Sequence, residues 1–504
     1  MSPSPEKPSG TDTRSIDTRG LALRSYAARG VLVNSAFDIG LGSLALIRGL
    51  VLAALLTRAD YGVVGVLAVS LGALAMLKFV GISDKYIQQE EVDQELAFQR
   101  AFTVELLTTG IAIVPMLVAL PIVAIVYGHW ELVPPGLVVI TVMIASALQA
   151  PIWVYYRRMH FVRQRSLAAI EPVVGFAVAI ALAIAGAGYW ALVLGVVAGA
   201  WSAAIAAIAT SPYRLRWRWE PGSLKVYMAF SAPIFIAVAS TAVVANGAAI
   251  ATNVHLGLAG VGAVAVAATI SAFTARVDDL VSGTIYPAIC AVQGRLDLLR
   301  ESFEKVNRVA LMWAMPFGFG LALFAADLIT FVIGEKWRAA LVLLEITGVV
   351  AALAHIGFNW DDYFRARAKT VPIAVAAVAS AMAFLAVGLP LLFVYGLTGL
   401  AIGFAAQAAV HLLFRGWYLS QMFEGFSFLR HAWRAILPTV PAVAVVLGMR
   451  QLETGTRTAA MAISELAVYL AVTVLATWLF EGSLIREAMS YLSRRGTGAA
   501  PIAG

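Results

Sequence analysis

Three polar side chains, Asn34, Asp38 and Arg48, lie in the first long apolar stretch of this 504-residue sequence. At about 100° per residue they share a helical stripe less than ~90° wide. A charge inside a bilayer costs at least ~2.5 kcal/mol, so its retention calls for a partner or a function. Two interpretations stay open. Asn34 and Asp38 form a structural pair while Arg48 reaches the interface, or all three line a water-filled pathway.

Two amides and a pair of opposite charges mark the second half of the chain. Asn246 and Asn253 are seven residues apart and share a helix face, where they either join helices or line the pathway. Arg276 lies near the middle of an apolar stretch, with Asp279 one turn further on. The two either neutralise each other, or Arg276 is a fixed cation for a phosphate group, which its bidentate guanidinium suits.

Other charged residues in the apolar stretches have simpler interpretations. Arg415 and Glu465 are interpreted as residues at the boundary of a span. Asp327 is expected to join an interface cluster with Lys336 and Arg338. These positions are therefore not assigned to the pathway.

Motifs for covalent chemistry are not found in the sequence. It has no Ser-His-Asp set, P-loop or glycine-rich nucleotide motif, and its single cysteine, Cys290, lies in an apolar run. The stripe His355, Asn359 and Asp362 is either the lining of a vestibule or a capped helix end. We expect no catalytic residues, no metal site and no cofactor, and hence a transporter and not an enzyme.

Composition determines the elements that carry these residues. Hydrophobic residues make up 61% of the chain and charged residues 13%, with a mean hydropathy of +0.85, whereas about a quarter of a soluble protein is charged. Apolar runs near the ~20 residues of a membrane span predict an all-α polytopic membrane protein with about fourteen helices. The predicted spans are 31–56, 61–82, 101–127, 132–156, 166–186, 188–210, 226–255, 259–290, 306–333, 339–363, 370–395, 397–420, 435–450 and 458–480.

The distribution of basic residues predicts the orientation of these spans. If the N-terminus is inside, most of the 36 basic residues fall in cytoplasmic segments, as the positive-inside rule requires. Both termini are then cytoplasmic, and every external loop is short. The net charge of +7 is assigned to these cytoplasmic loops and not to a nucleic-acid partner.

Weak internal similarity predicts two parallel repeats of six helices. Gly62 recurs as Gly262, Gly128 as Gly334 and Gly188 as Gly396, each with similar neighbours. The predicted organisation is a disordered cytoplasmic tail (1–28), an N-lobe (29–210), a cytoplasmic linker (211–225), a C-lobe (226–420), two appended helices (421–482) and a second cytoplasmic tail (483–504).

Several motifs resemble those of a known family. They are Leu55–Gly62 after the first span, Gly186–Val193 between the fifth and sixth, Arg276 followed by Tyr286-Pro287, and Gly334–Trp337 after the ninth. In this order and spacing the sequence is similar to the polysaccharide biosynthesis (Wzx-type) flippases of the MOP superfamily, which also holds the MATE exporters and the lipid II flippase. In the lipid II flippase, arginines on helices 1, 2 and 8 line the cavity. Arg276 matches the helix 8 position and Arg48 approximates the one on helix 1.

The resemblance implies a function. It implies a two-lobed MATE-like core in the bacterial inner membrane that flips an undecaprenyl-pyrophosphate-linked oligosaccharide from the cytoplasmic to the periplasmic leaflet by alternating access. A polysaccharide polymerase and a chain-length regulator are the expected protein partners. Two alternatives remain: a cation-coupled multidrug exporter of the same superfamily, and a membrane enzyme such as a polysaccharide polymerase.

Overall fold

The structure is a computed structural model. It describes residues 81–127, 129–453 and 456–493, together with positions 33–34, 36–38, 40–41, 44, 48, 51–52, 55–56 and 63. Within these ranges the backbone forms helices and turns and no strand. The all-α fold predicted from composition is therefore confirmed.

Seventeen α-helices follow residue 81 in the described part of the chain. They are α1 (Ile82–Gln88), α2 (Gln94–Tyr127), α3 (Val133–Leu148), α4 (Pro151–Arg157), α5 (Phe161–Ile184), α6 (Tyr189–Ala209), α7 (Pro221–Ser271), α8 (Arg276–Ala291), α9 (Leu296–Leu328), α10 (Leu341–Ala354), α11 (Trp360–Ala366), α12 (Val371–Ala383), α13 (Leu389–Tyr395), α14 (Leu397–Met422), α15 (Phe428–Ile436), α16 (Val440–Leu452) and α17 (Ala459–Ser493).

The number of membrane spans differs from the predicted fourteen. In the described part of the chain ten helices are long and apolar enough to cross a bilayer, and the pair α15 and α16, bent by 45°, makes an eleventh. Half of the predicted span 31–56 and most of the predicted span 61–82 lie outside the described residues. The predicted span 259–290 is divided by a 3₁₀ turn, Ala272–Ala275, which separates the end of α7 from α8.

The chain divides into two compact units, Met1–Phe235 and Ile236–Gly504. In the first unit, α5 and α6 are held at close range by small residues. A Cβ atom added to Gly199 would lie 2.3 Å from the carbonyl oxygen of Glu171, so only glycine permits this approach. The extended segment after α6 then runs along α2, where the amide of Arg218 donates to the Thr103 hydroxyl at 2.8 Å.

In the second unit, α9 and α10 pack in the same way. A Cβ atom at Gly318 would lie 2.4 Å from the carbonyl oxygen of Gly348. Around this contact lies an apolar core that includes Leu343, Leu344 and Phe384. The close helix packing of each unit therefore depends on backbone approach at small residues, as expected in a bilayer.

One pair of positions in the predicted repeat has matching local geometry. Gly188 precedes α6 with φ 57° and ψ −138°, and Gly396 precedes α14 with φ 62° and ψ −138°. Gly62 and Gly128, which belong to the other two predicted pairs, lie outside the described residues. The superposition of the two repeats and the predicted lobe boundaries remain predictions.

Candidate functional site

The first polar cluster of unit 1 joins the first predicted span to α5. Arg165 donates from Nε to Asn34 Oδ1 at 2.7 Å and from Nη1 to Asp38 Oδ1 at 3.2 Å. Asn34 is fully buried, whereas the side chains of Asp38 and Arg165 are partly exposed. Asn34 and Asp38 thus share one partner. Arg48 is half-buried, ten residues beyond Asp38, and does not join this cluster in the described contacts.

Arg165 was not predicted as a site residue, because its position in a basic segment assigned it to the cytoplasmic loops. The sequence does contain a signal for this pair. An aspartate inside a span requires a cation. Arg165 lies in the second turn of α5, at the end that is predicted to be cytoplasmic, as is the end of the first span that carries Asn34 and Asp38. Arg158 and Arg163 lie close by in the sequence. Arg158 donates to the Tyr213 hydroxyl at 3.0 Å, and Arg163 covers the Tyr155 ring at 4.7 Å. We call Arg158, Arg163 and Arg165 the basic patch of unit 1.

Arg157, beside the patch, has a different environment. It is buried, and its Nη1 lies 2.7, 2.9 and 2.8 Å from the carbonyl oxygens of Tyr86, Ile87 and Gln89. Those carbonyls end α1, where they have no partner within the helix. Arg157 therefore caps a helix end and is not open to a ligand.

The two predicted amides of unit 2 lie on the surface of α7. Asn246 is exposed and donates to the carbonyl oxygen of Ala242 on its own helix at 2.8 Å. Asn253 is also exposed. Neither side chain is buried between helices, so the interpretation that they join helices is not supported, and the pathway interpretation stays a prediction.

Arg276 begins α8, directly after the 3₁₀ turn Ala272–Ala275. The side chains of Arg276 and Asp279 lie outside the described part of the structure, so their pairing stays a prediction. The neighbouring Asp278 is described. Its Oδ2 atom lies 2.7 Å from Nε2 of His355, and both side chains are nearly buried.

His355 lies at a break in a helix. α10 ends at Ala354, and the chain passes through Gly357 at φ +73° before α11 begins at Trp360. The predicted stripe through His355, Asn359 and Asp362 is thus not on one continuous helix. Its capped-end interpretation agrees with the structure at His355, which is the C-cap residue of α10.

Buried side chains hold the backbone of this break. Arg415, 5% exposed, places Nη1 2.6 Å from the carbonyl oxygen of Ala354 and 2.8 Å from that of Ile356. Asn307 donates to the carbonyl oxygen of His355 at 3.1 Å and accepts from the amide of Gly357 at 3.0 Å. Arg415 thus caps a buried helix end, and its place at the boundary of a span stays a prediction.

A second ionic cluster joins α9, α16 and α17. Asp327 accepts from Arg450 at 3.2 Å and from Arg457 at 2.5 and 2.7 Å. Glu465, fully buried, accepts from both arginines. Hydrogen bonds to the two carboxylates raise the pKa of Arg457. Asp327 therefore pairs with Arg450 and Arg457. Of its predicted partners, Arg338 lies 3.7 Å from Glu335, and the side chain of Lys336 is outside the described residues. Glu465 is buried within this cluster, and its predicted place at the boundary of a span stays a prediction.

The fold is that of an all-helical polytopic membrane protein. No group of three or more metal-ligating side chains occurs within the described residues. One similar solved structure is a MATE transporter point mutant, with a TM-score of 0.66, 13% identity and coverage of 80% of this chain and 96% of that one. Another is a MOP superfamily transporter from Pyrococcus furiosus described by a binding pocket of reversed polarity, with a TM-score of 0.62, 13% identity and coverage of 80% and 96%.

The chain belongs to the polysaccharide biosynthesis protein family, whose model matches residues 51–342. It is also 22% identical over 176 residues to an uncharacterized membrane protein in the cps region of Klebsiella pneumoniae. That match spans 34% of this chain and 36% of the relative. The predicted resemblance is confirmed for the polysaccharide biosynthesis family, and the predicted MATE-like fold is confirmed by the similar structures.

Proposed function

We propose that this protein is a flippase that moves an undecaprenyl-pyrophosphate-linked oligosaccharide repeat from the cytoplasmic to the periplasmic leaflet by alternating access. The observation that carries the proposal is a MATE-type transporter fold in a chain of the polysaccharide biosynthesis family. Polysaccharide repeats assembled on one side of a membrane need a carrier to reach the other. A transporter in this family meets that need without covalent chemistry.

The charges of unit 1 suit the pyrophosphate of this substrate. The basic patch lies before and within the first two turns of α5, where the helix dipole adds positive potential. Arg163 is exposed, and Arg165 is only partly neutralised by Asp38 because both of their side chains reach solvent. Phosphate oxygens accept bidentate hydrogen bonds from guanidinium groups, which a point cation such as lysine does not offer.

Within unit 2, Arg276 is assigned to pyrophosphate, and the sugar is assigned to the exposed amides Asn246 and Asn253 on α7. Amide side chains donate and accept at the same time, as sugar hydroxyl groups require. The lipid tail stays in the bilayer. We place the protein in the bacterial inner membrane with both termini in the cytoplasm, beside a polymerase and a chain-length regulator.

Arg276 provides the sharpest test of this function. In a strain that lacks the chromosomal gene, Arg276→Ala is expected to abolish polysaccharide export and leave the lipid-linked repeat in the inner leaflet, with normal abundance of the protein. Arg276→Lys is expected to retain part of the export because lysine keeps the positive charge but lacks the bidentate guanidinium group. The measurements are surface polysaccharide, accumulated lipid-linked repeat and membrane abundance.

The variant Arg276→Ala with Asp279→Ala is the matched control. If Arg276 only neutralises Asp279, the single change lowers abundance, and the double change restores both abundance and export. Restored export would remove Arg276 from the substrate site. Transport of an organic cation by the wild type, unaffected when the basic patch is neutralised, would instead identify an exporter of the multidrug type.

A further inference from the structure

The short helix α15 has two exposed faces of different chemistry. Leu429 and Trp433, which are 82% and 63% exposed, are four residues apart and therefore lie about 40° apart around the helix axis. Arg430 and Arg434 are also exposed and lie about 100° further round. The third face is buried and includes His431. An exposed apolar face beside an exposed basic face is typical of a helix that lies in a membrane interface.

The place of α15 in the fold agrees with an interface. α15 begins a candidate span, and its axis is bent by 45° from that of α16. Exposed arginines are costly within hydrocarbon, whereas tryptophan side chains collect where the bilayer meets water. Arg430 and Arg434 form no ion pair with another described residue. α15 is therefore the interfacial end of this span, with two exposed cations.

Arg434 also lines a small cleft between α9, α15 and α17. The other polar side chains around the cleft are those of Arg308, Thr439, Thr477 and Glu481. Its free volume is about 10 Å³, which is room for one water-sized group. Two of the lining residues are cations and one is a carboxylate, so the lining carries a net positive charge.

The charge of Arg308 is already balanced. Its Nε lies 3.1 Å from Glu481 Oε1, its Nη2 donates to Oε2, and Glu481 is buried. Glu304, one turn before Arg308 on α9, accepts from Arg300 at 2.9 Å. Among the described residues Arg434 is thus the cation of the cleft that no carboxylate holds, and the mouth of the cleft is a favourable place for an anion.

Thr439 gives independent support for a polar occupant. It lies at the bend, as the N-cap residue of α16, and is 1% exposed. Its hydroxyl has no hydrogen-bond partner within the described part of the chain. A buried hydroxyl without a partner is unfavourable. An oxygen atom held in the cleft supplies such a partner.

We propose that Arg434 and the cleft beside it bind the phosphate of an anionic phospholipid, whose acyl chains lie along Leu429 and Trp433. One phosphate oxygen enters the cleft, because only a group of that size fits, and the other oxygens stay outside with the guanidinium of Arg434. An anionic head group balances the surplus cation, whereas a zwitterionic head group brings a cation of its own. This ligand belongs to the bilayer and is not the transported glycan, so the proposal does not rest on the proposed function.

The lipid stabilises the junction between the core and the last two helices. α15 joins α14 to α16 and α17 along the chain. The contact of α17 with α9 through Arg308 and Glu481 lies in the wall of the same cleft. A phosphate that binds between α15 and this contact holds the three helices together. The expected signature is a higher Tm in the presence of the lipid.

The site is tested by thermal unfolding of the full chain in nonionic detergent, titrated with phosphatidylglycerol and separately with phosphatidylcholine. Phosphatidylglycerol should raise the Tm at concentrations where phosphatidylcholine leaves it unchanged. Arg434→Gln should weaken the apparent affinity for phosphatidylglycerol about tenfold more than Arg430→Gln does. Both variants lose one cation near the lipid, but only Arg434 loses a hydrogen bond to the phosphate. Both side chains are exposed, so the Tm without lipid should not change.

Thr439→Val is a second test, because it removes the buried hydroxyl and nearly keeps its shape. Without lipid its Tm should equal or exceed that of the wild type, since an unsatisfied polar group is lost. Its response to phosphatidylglycerol should be smaller. A lower Tm without lipid together with an unchanged lipid response would overturn the site. Equal losses of affinity in Arg434→Gln and Arg430→Gln would overturn it as well, because they would show a general attraction to the membrane surface.

Two further ligands separate the possible sources of the phosphate. Inorganic phosphate that raises the Tm as much as phosphatidylglycerol would show that the cleft binds a free anion, which would overturn the lipid site. A polyprenyl pyrophosphate that acts through Arg434 where phosphatidylglycerol does not would assign the cleft to the transported lipid and also overturn the proposal. Failure of the wild type to restore export in the deletion strain would contradict the proposed function and leave the result on the lipid standing.

Discussion

Two buried arginines, one in each unit, donate hydrogen bonds to backbone carbonyl groups at the end of a helix, but in different surroundings. Arg157 places one nitrogen among three carbonyl oxygens at the end of α1, and Arg415 places one nitrogen between two carbonyl oxygens at the end of α10. They are 9% and 5% exposed. A broken helix in a membrane needs such a cap, because no water satisfies the freed carbonyls.

The two arginines differ in the side chains that surround them. The guanidinium of Arg157 lies 5.6 Å from the centre of the Tyr86 ring. Arg415 instead lies beside His411 and within electrostatic range of Asp278 and Asp361. The cap of unit 1 thus lies against an aromatic ring, whereas the cap of unit 2 lies beside a histidine and close to two carboxylates. The same type of helix cap in both units therefore does not indicate the same function.

The largest expected effect is on stability in unit 1. Arg157→Ala removes the partner of three buried carbonyls, and each unsatisfied group costs about 1–3 kcal/mol. We expect a strong loss of membrane abundance and of thermal stability in detergent. The exposed Arg216→Ala is the control and should change stability by less than ~0.5 kcal/mol. Equal stability of the two variants would show that Arg157 does not cap α1.

Arg415→Gln is expected to have a smaller effect on stability. Two carbonyls lose their charged partner, and the remaining amide still donates to one of them. We expect a loss of thermal stability in detergent that lies between the losses of Arg157→Ala and Arg216→Ala. A loss as large as that of Arg157→Ala would contradict the contrast between the two arginines.

Arg165→Gln should affect export more than stability. The pair with Asp38 is partly exposed, and such pairs contribute about 0–1 kcal/mol. If Arg165 belongs to the pyrophosphate site, export falls while abundance stays near that of the wild type. Asp38→Asn, which removes the same ion pair and keeps the cation, is the matched comparison. Equal loss of export in both variants would indicate that the pair, and not the cation, matters.

The smallest effect on the protein is expected from single cysteine substitutions at exposed positions, which test the orientation of the two caps. Parallel repeats predict that both caps lie on the cytoplasmic side. Cysteine at exposed Glu131 should react with an impermeant thiol reagent in intact cells, and cysteine at Pro212 or Glu424 should not. The native Cys290 is buried and gives little background. Labelling at only one of Pro212 and Glu424 would contradict the parallel arrangement, and labelling at both without labelling at Glu131 would reverse the predicted orientation.

The sequence predicts the helices better than the pairs between them. Hydropathy alone locates the apolar spans, and helical spacing alone puts Asn34 and Asp38 on one face, because both are local properties. The partners of buried charges are not local. Arg165 is 127 residues from Asp38, and no periodicity connects Asp278 with His355. The capping role of Arg415 is not predicted because the helix break that it caps leaves no signal except Gly357.

The cluster around Asp327 has a consequence for biosynthesis. Asp327 is made early, on α9, but its partners follow 123 and 130 residues later, and Glu465 later still. During translation the carboxylate of Asp327 therefore enters the membrane before the ribosome has synthesised the two arginines that neutralise it. A chain that stops after α14 keeps this charge uncompensated. Quality control should remove such a product, even though its core helices are complete.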